Sequence, residues 1–292
     1  MRTQIALAIL AILSCTTVAK TAYSNVEQLI WGINAGQDIF FRWGVYAGWT
    51  NVPGKLVYLD RQASNNGDIV WGINSNQDIF YLDNTSTTWK NIPGKLVYLK
   101  IATSGRVWGI NAGQDIYYID GPNGQWINVP GKLVYLDIAP DGRIWGINAA
   151  GSIYTLYSVA SGWQQIAGAL KFLRVDYSGR VWGINSANQI YTRLLGDVSW
   201  TQIDGLLVHL DIDGNGIVYG LNSNNDIFER QGVDGVWANI PGKLTRLRVT
   251  RGGRVWGINA GQQIYTLAAN NQWINIPGAL VSLWGPDGKS FP

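Results

Sequence analysis

The chain has 292 residues, with 22 Lys and Arg against 19 Asp and Glu, 36 glycines and 15 tryptophans. A net charge of only +3, without a run of basic residues, argues against a nucleic-acid or acidic-membrane partner. Abundant Gly and Trp beside 14% charged residues indicate short strands joined by tight turns. The composition therefore favours an all-β protein whose partner is not a polyanion.

The first 22 residues have the pattern of a secretory signal peptide. Arg2 precedes an apolar run at residues 5–13, and small residues end at Ala19. This run is too short to span a bilayer, so we expect cleavage and secretion, with no membrane insertion. Cys15 is the only cysteine, so the mature chain at residues 23–292 has neither thiol nor disulfide. A bacterial lipoprotein anchored through Cys15 is the alternative interpretation.

Seven copies of one unit fill the mature chain. A tetrad of an aromatic residue, Gly, an aliphatic residue and Asn recurs every 37 residues, except for a first interval of 40. We expect the three extra residues in a polar loop at residues 61–68. The tetrads begin at Trp31, Trp71, Trp108, Trp145, Trp182, Tyr219 and Trp256. A second Trp follows in each copy, at Trp49, Trp89, Trp126, Trp163, Trp200, Trp237 and Trp273.

Each copy contains four short β-type runs separated by turn signals. In the fourth copy the runs are residues 133–138, 143–148, 152–157 and 163–168, and we name the strands of every copy a, b, c and d in this order. Helical spacing of apolar residues is absent outside the signal peptide. Four strands with tight turns in 37 residues predict one blade of a β-propeller.

The two ends of the mature chain complement each other. It begins at strand b of copy one and stops after a seventh strand a at residues 280–283. Pairing these strands would remove an exposed sheet edge, whereas an open stack would need polar capping repeats. The sequence predicts an all-β propeller of seven four-stranded blades, closed by the C-terminal strand pairing with the first N-terminal strands.

Two charged positions occur together in the copies. In a meander, the b–c and d–a turns share one face of the ring, and the a–b and c–d turns share the other. Copies one, two, three and six have Asp in the b–c turn and Lys in the d–a turn: Asp38 with Lys55, Asp78 with Lys95, Asp115 with Lys132, and Asp226 with Lys243. The other copies have neither, and contain Ser152 with Ala169, Gln189 with Leu206, and Gln263 with Ala279.

Two explanations of this pattern remain open. One is a surface ion pair across neighbouring turns, or the shared ancestry of recent duplicates. The other is a sugar site in which Asp accepts from hydroxyls, Lys donates and the Asn of the tetrad does both, beside an aromatic ring. The candidate amides are Asn34, Asn74, Asn111 and Asn222, and the candidate rings are Tyr58, Tyr98, Tyr117 and Tyr135.

The tryptophans are predicted to be structural. Because both faces of a blade are buried against its neighbours, we expect the Trp of the tetrad in the core. Gly32 and its equivalents would let that indole lie against backbone. The Trp of strand d, for example Trp126, is likewise expected to pack rather than to bind a ligand.

The unit resembles a known repeat. Its pattern, GxLxxLxVxxxGRVWGINxxxxIYxL followed by WxxIPG, is similar to the tectonin repeat of fish-egg lectins, a horseshoe-crab lectin, and fungal and slime-mould tectonins. The resemblance implies a β-propeller lectin with several shallow sugar sites that recognises microbial surface glycans in innate immunity. Seven units depart from the five or six blades of familiar members, and the disulfides of fish-egg lectins are missing.

The sequence contains few residues suited to catalysis or metal binding. The mature chain has one histidine, His209, and no carboxylate that breaks the repeat as a catalytic residue would. Asp211, Asp213 and Asn215 resemble the start of a calcium loop, but its twelfth position is Asn222 rather than Glu. We therefore predict no enzyme, no metal site and no cofactor.

Taken together, these patterns predict a secreted, multivalent glycan-binding propeller that exists as a monomer or low-order oligomer. Copies one, two, three and six would hold the most complete sites. Several weak sites on one face would raise avidity for a repetitive surface by about 10²–10⁴. A non-catalytic propeller that binds protein through its variable c–d loops is the alternative.

Overall fold

The computed structural model describes residues 29–64, 67–83, 88–250 and 252–285. Within these ranges, 28 strands form seven antiparallel sheets of four strands each. The predicted signal peptide at residues 1–22, with Cys15, lies outside the described residues. In the described part, no helix is both long enough and apolar enough to cross a membrane.

The strands follow the predicted a–b–c–d order in every blade. In blade 1, strands b, c and d are β1 (Leu29–Ile33), β2 (Asp38–Trp43) and β3 (Thr50–Lys55). Blades 2 and 3 comprise β4 (Tyr58–Ser64), β5 (Gly67–Ile73), β6 (Asp78–Leu82), β7 (Lys90–Lys95), β8 (Tyr98–Ile101), β9 (Arg106–Ile110), β10 (Asp115–Asp120) and β11 (Ile127–Lys132). Blades 4 and 5 comprise β12 (Tyr135–Ile138), β13 (Ile144–Ile147), β14 (Ser152–Leu156), β15 (Gln164–Ala169), β16 (Phe172–Val175), β17 (Val181–Ile184), β18 (Gln189–Arg193) and β19 (Thr201–Leu206). Blades 6 and 7 comprise β20 (His209–Ile212), β21 (Ile217–Leu221), β22 (Asp226–Gln231), β23 (Ala238–Lys243), β24 (Arg246–Val249), β25 (Val255–Ile258), β26 (Gln263–Leu267) and β27 (Trp273–Ala279), and β28 (Ser282–Trp284) is strand a of blade 1.

The ring closes through the two ends of the described chain. β28 pairs with β1 in antiparallel register, with Trp284 opposite Trp31 and Ser282 opposite Ile33. The a strands of neighbouring blades contact one another all the way round, from β28 to β4 and back through β24. The predicted seven-bladed propeller and its closure are therefore confirmed.

The longer first interval differs from the prediction. β4 pairs with β5 from Tyr58 opposite Ile73 to Ser64 opposite Gly67. The extra residues therefore lengthen this strand pair instead of forming a polar loop at residues 61–68. Residues added to both arms of an antiparallel hairpin gain cross-strand hydrogen bonds, which favours extension of the ladder.

The aromatic residue of the tetrad lies in the core of every blade, as predicted. Its relative exposure is at most 4% in any copy. The following glycine, however, does not make room for this indole. A Cβ on Gly109 would lie 2.3 Å from Leu96 Cδ1, and the other six glycines face the equivalent leucine that precedes strand a. The leucine of each d–a turn therefore packs into the space left by a missing side chain.

The Trp at the start of strand d packs across the junction between blades. A Cβ on Gly131 in blade 3 would lie 3.1 Å from Trp163 Nε1 in blade 4, and the same approach recurs at all seven junctions. Trp200 Nε1 donates to Ala167 O of the preceding blade at 2.8 Å. The predicted packing role of these tryptophans is confirmed.

Candidate functional site

A β-bulge in every blade brings the two candidate charges together. In blade 3, Ile116 lies opposite Val129, but its neighbour Asp115 lies opposite Lys132. Pro130 and Gly131 therefore form the bulge. One of them, Gly131, has a φ of 128°, which a residue with a side chain rarely adopts. The same register shift occurs in all seven c–d pairs. The backbone therefore makes the two positions cross-strand neighbours in every blade.

All four Asp–Lys pairs are formed. Lys132 Nζ lies 2.6 Å from Asp115 Oδ1 and also donates to Gly113 O at 2.8 Å. Asn111 Nδ2 donates to the other carboxylate oxygen at 3.2 Å. Equivalent ion pairs join Asp38 to Lys55, Asp78 to Lys95, and Asp226 to Lys243. Direct contact explains why the Asp and the Lys occur together.

These pairs are open to solvent. The side chain of Lys132 is 57% exposed and that of Asp115 is 36% exposed. The hydrogen bond from Lys132, followed by that from Asn111, lowers the pKa of Asp115. The equivalent bonds lower the pKa of the carboxyl groups at Asp38, Asp78 and Asp226. Exposed pairs contribute little to stability, so stability alone gives no reason to retain four of them, whereas a ligand site or the shared ancestry of the copies would.

The Asn of the tetrad shapes the b–c turn. Asn111 Oδ1 accepts the backbone N–H of Asp115 at 2.8 Å, and this bond recurs in all seven blades. In blade 4, Ser152 replaces the aspartate. Asn148 Nδ2 consequently has no acceptor among the residues described, so it can donate to a ligand.

Adjacent blades form a groove beside the lysine. Between blades 3 and 4, a cavity of about 280 Å³ is lined by Lys132 and Leu133 on one side and by Asn148, Tyr154 and Trp163 on the other. Between blades 6 and 7, a cavity of about 300 Å³ is lined by the residues at the same positions, Lys243, Leu244, Asn259, Tyr265 and Trp273. Each groove therefore takes its cation from one blade and its aromatic rings from the next.

The seven junctions differ mainly in whether the d–a turn has a lysine at the position equivalent to Lys132. The junctions between blades 1 and 2 and between blades 2 and 3 have a lysine with two aromatic residues, namely Lys55 with Phe80 and Trp89, and Lys95 with Tyr117 and Trp126. The three remaining junctions have Ala169, Leu206 or Ala279 in its place. Four of the seven junctions consequently combine a lysine with aromatic rings.

The calcium-like pattern at residues 211–216 folds as a strand end and an a–b turn. Asp211 Oδ1 lies 2.9 Å from Arg174 Nη2. Asp213 Oδ1 accepts the N–H groups of Asn215 and Ile217 at 2.9 and 2.8 Å. Among the described residues, no group of three or more His, Cys, Asp or Glu could hold a metal ion.

A sequence profile of the Tectonin domain matches residues 58–236, which is more than half of the chain. The chain belongs to the tectonin family. No curated protein sequence matches this tectonin significantly.

Solved structures similar to this tectonin share its fold. YCF48 from Cyanidioschyzon merolae is 12% identical, with a TM-score of 0.62 over 79% of this chain and 88% of that one. A putative 6-phosphogluconolactonase from Bacteroides uniformis is 11% identical, with a TM-score of 0.64 over 89% and 99%. Prp20p from Saccharomyces cerevisiae is 9% identical, with a TM-score of 0.60 over 86% and 83%. Such low identities support a common architecture alone.

The structure of this tectonin separates the predicted aromatic residues into two places. Tyr117 and Trp126 pack against the same core cluster at the junction of blades 2 and 3. Tyr58, Tyr98 and Tyr135 instead pack on one another, with ring centroids 5.3 and 5.2 Å apart. They line the central channel rather than the grooves, because strand a is the innermost strand of each blade.

The polar residues predicted to form one site within a blade are divided between two junctions in the structure. Asn34 and Asn222 bind Asp38 and Asp226 within their own blades. They nevertheless lie at junctions that have no lysine. Asn74 and Asn111 occupy, relative to Lys55 and Lys95 of the preceding blade, the same repeat position that Asn148 occupies relative to Lys132. The residues that share a cavity with a lysine are Asn148, Tyr154, Trp163, Asn259, Tyr265 and Trp273, and none of them is among the site residues predicted from sequence. Pairing each d–a turn with the next copy would have found them.

Proposed function

We propose that this protein is a secreted, non-catalytic and multivalent lectin whose sugar sites are the four lysine-bearing grooves between blades. The observation that supports it is the convergence of Lys132, Asn148, Tyr154 and Trp163 on one cavity. Sugars present hydroxyl groups around a partly apolar ring. A site for them therefore needs hydrogen-bonding side chains next to an aromatic surface.

Each groove residue has a separate role in this proposal. Lys132 Nζ has three N–H donors and binds Asp115 and Gly113, so a third donor is available to a hydroxyl oxygen. Asn148 Nδ2 provides a second donor. Tyr154 and Trp163 cover the apolar face of the sugar ring, so Trp163 would contact the ligand as well as pack at the junction, contrary to the expectation from sequence. Asp115 is a positioning residue, because its carboxylate fixes the direction of the lysine.

Repeating the groove around the ring allows the protein to bind several sugar units at once. A cavity of about 280 Å³ lies at the small end of ligand sites, so we expect each groove to bind one sugar unit weakly. Several grooves on one rigid ring can engage a repetitive surface at once, which raises avidity by about 10²–10⁴. Microbial surface polysaccharides are repetitive in this way, and we propose them as the target.

A glycan array probed with residues 23–292 tests the proposal. We expect saturable binding to one class of sugar, unchanged by EDTA because the groove residues need no metal. A variant with alanine at Lys55, Lys95, Lys132 and Lys243 should lose this signal. The control Tyr191→Ala alters the junction between blades 4 and 5, where Ala169 occupies the position of the groove lysine, and should keep the signal. A blank array from the folded protein would contradict the lectin.

A second function, protein binding through the c–d loops, is supported by apolar side chains exposed there. Tyr46 is 100% exposed, Val198 is 99% exposed and Val236 is 79% exposed, each on a different c–d loop. Isolated exposed apolar residues are ordinary, but their concentration on the most variable loops fits a protein partner. One similar propeller is YCF48 bound to D1 peptide. Changing Tyr46 and Val198 to serine would abolish partner capture on this account and leave glycan binding intact.

A further inference from the structure

The first residues of the seven a strands form a collar around the central channel. Five of them are rings whose centroids follow one another at 5.2–5.4 Å: Tyr58, Tyr98, Tyr135, Phe172 and His209. The remaining two positions are Arg246 in blade 7 and Ser282 in blade 1. The stack of rings is therefore interrupted at the seam between blades 7 and 1.

The third residues of the a strands form a second layer in which charge alternates. In ring order they are Asp60, Lys100, Asp137, Arg174, Asp211, Arg248 and Trp284. Arg174 lies between two carboxylates, with Asp211 at 2.9 Å and Asp137 at 3.9 Å. Strict alternation cannot close in a ring of seven. Trp284 occupies the odd position, and it lies at the same seam.

Arg248 has an uncharged neighbour on one side as a result. Its Nη1 lies 4.0 Å from Asp211 Oδ2, and its Nε donates to Leu283 O at 3.3 Å. On the other side its neighbour in the layer is Trp284. The side chain of Arg248 is 26% exposed, against 5% for Lys100 and 8% for Arg174. This guanidinium is therefore the most accessible cation of the layer.

A cavity of about 380 Å³ opens at the seam. Arg246, Arg248 and Ser282 line it together with His209, Tyr58 and Trp284, and none of its lining residues is acidic. A guanidinium presents several N–H donors in a plane, which matches the oxygens of a carboxylate or phosphate group. The cavity thus combines two cations and a hydroxyl with aromatic walls.

We propose that this seam cavity binds one small organic oxyanion per chain, through a carboxylate or phosphate group. Arg246 and Arg248 bind the anionic group, and Ser282 donates its hydroxyl. Tyr58 and Trp284 cover the apolar part of the ligand. This site is separate from the grooves between blades and does not depend on the lectin proposal.

Calorimetric titration of residues 23–292 with glucuronate, inorganic phosphate and glucose tests the site. Glucuronate and glucose differ at a carboxylate, so the pair isolates the anionic group. We expect glucuronate, phosphate or both to bind with a stoichiometry of one, and glucose to bind at least about tenfold more weakly at this site. Phosphate alone would identify a phosphorylated ligand, and glucuronate alone a carboxylic acid.

Two variants and one control locate the binding. Arg246→Gln removes an exposed cation, and Ser282→Asp places a carboxylate in the cavity, so each should weaken anion binding about tenfold or more. The variant with alanine at Lys55, Lys95, Lys132 and Lys243, which removes the cation of every lysine-bearing groove, should leave anion binding unchanged. The single histidine gives a local signal, because the NMR resonance of His209 should shift on adding the anion.

The outcomes that would overturn the proposal are distinct. They are no saturable binding of either anion, an equal affinity for glucose and glucuronate, or an unchanged affinity in both cavity variants. Binding that is lost in the four-lysine variant and leaves the His209 resonance in place would put the anion in the grooves, and would also overturn the proposal.

Discussion

Lys132 Nζ lies 2.6 Å from Asp115 Oδ1, because a two-residue bulge places these residues opposite each other on neighbouring strands. The same lysine lines a groove whose aromatic rings, Tyr154 and Trp163, belong to the next blade. A single repeat therefore contains only part of a groove. Closing the ring supplies the missing neighbour to every blade.

We predict that removing one Asp–Lys pair weakens glycan binding and leaves the protein folded. Replacing both Asp115 and Lys132 by Ala should remove one groove and lower avidity on a glycan surface. Both side chains are exposed, so the melting temperature should change little. Surface plasmon resonance on the best array glycan, with a thermal melt of each sample, measures both properties.

The equivalent positions in blade 5 give the matched control. Gln189 lies opposite Leu206 in the same register but forms no ion pair with it. Changing both to Ala should leave glycan binding unaltered. Equal effects of the two double variants would contradict a specific role for the Asp–Lys pair.

We predict that protonation of His209 destabilises the folded protein at mildly acidic pH. Burial, followed by the positive charge of Arg248, lowers the pKa of this imidazole from 6.5 to about 4. The folded protein therefore binds this proton less readily than the unfolded chain. The contribution of His209 to the free energy of unfolding should be fully present above pH 6.5 and fall by about 2–3 kcal/mol as the pH decreases toward 4.

The variant His209→Phe should remove this pH dependence. Phe172 occupies the same place in the neighbouring blade, so a phenyl ring fits the collar. Urea unfolding at several pH values between 6.5 and 4 measures the difference. A parallel decline in the wild type and the variant would show that another group is responsible.

We predict that a side chain at position 109 clashes with the core. A Cβ at this position would lie 2.3 Å from Leu96 Cδ1 and 2.8 Å from Cδ2, so Gly109→Ala should destabilise the fold by about 1–3 kcal/mol. Gly48→Ala is the control, because a Cβ there meets no atom within 4 Å. Chemical denaturation of both variants makes the comparison. An equal, small effect would show that Leu96 moves aside freely.

Ring closure predicts that the last strand is essential. Truncation after Ala279 removes β28 and leaves the backbone of β1 unpaired on one side. It also removes Leu280, which packs against Gly32. An exposed strand edge favours association between chains, so the truncated protein should aggregate or melt at a lower temperature. A monomer by light scattering with an unchanged melt would argue against closure as a source of stability.

The repeat made most of the fold predictable. A regular spacing of the WGIN-type tetrad and the turn residues defined seven blades, and the unpaired strand at residues 280–283 indicated closure. The grooves were harder to predict, because their halves lie in different copies and the contact depends on how blades pack. Tyr58 illustrates the difficulty, since its position near Lys55 in sequence gave no sign that its ring lines the channel.

The stoichiometry of monosaccharide binding tests the central claim most directly. Isothermal titration of residues 23–292 with the sugar selected on the array should show about four sites per chain, one for each lysine-bearing groove. Lys132→Ala should reduce this by one site and leave the affinity of the others unchanged. An unaltered stoichiometry in a folded Lys132→Ala protein would contradict the assignment of sugar binding to these grooves.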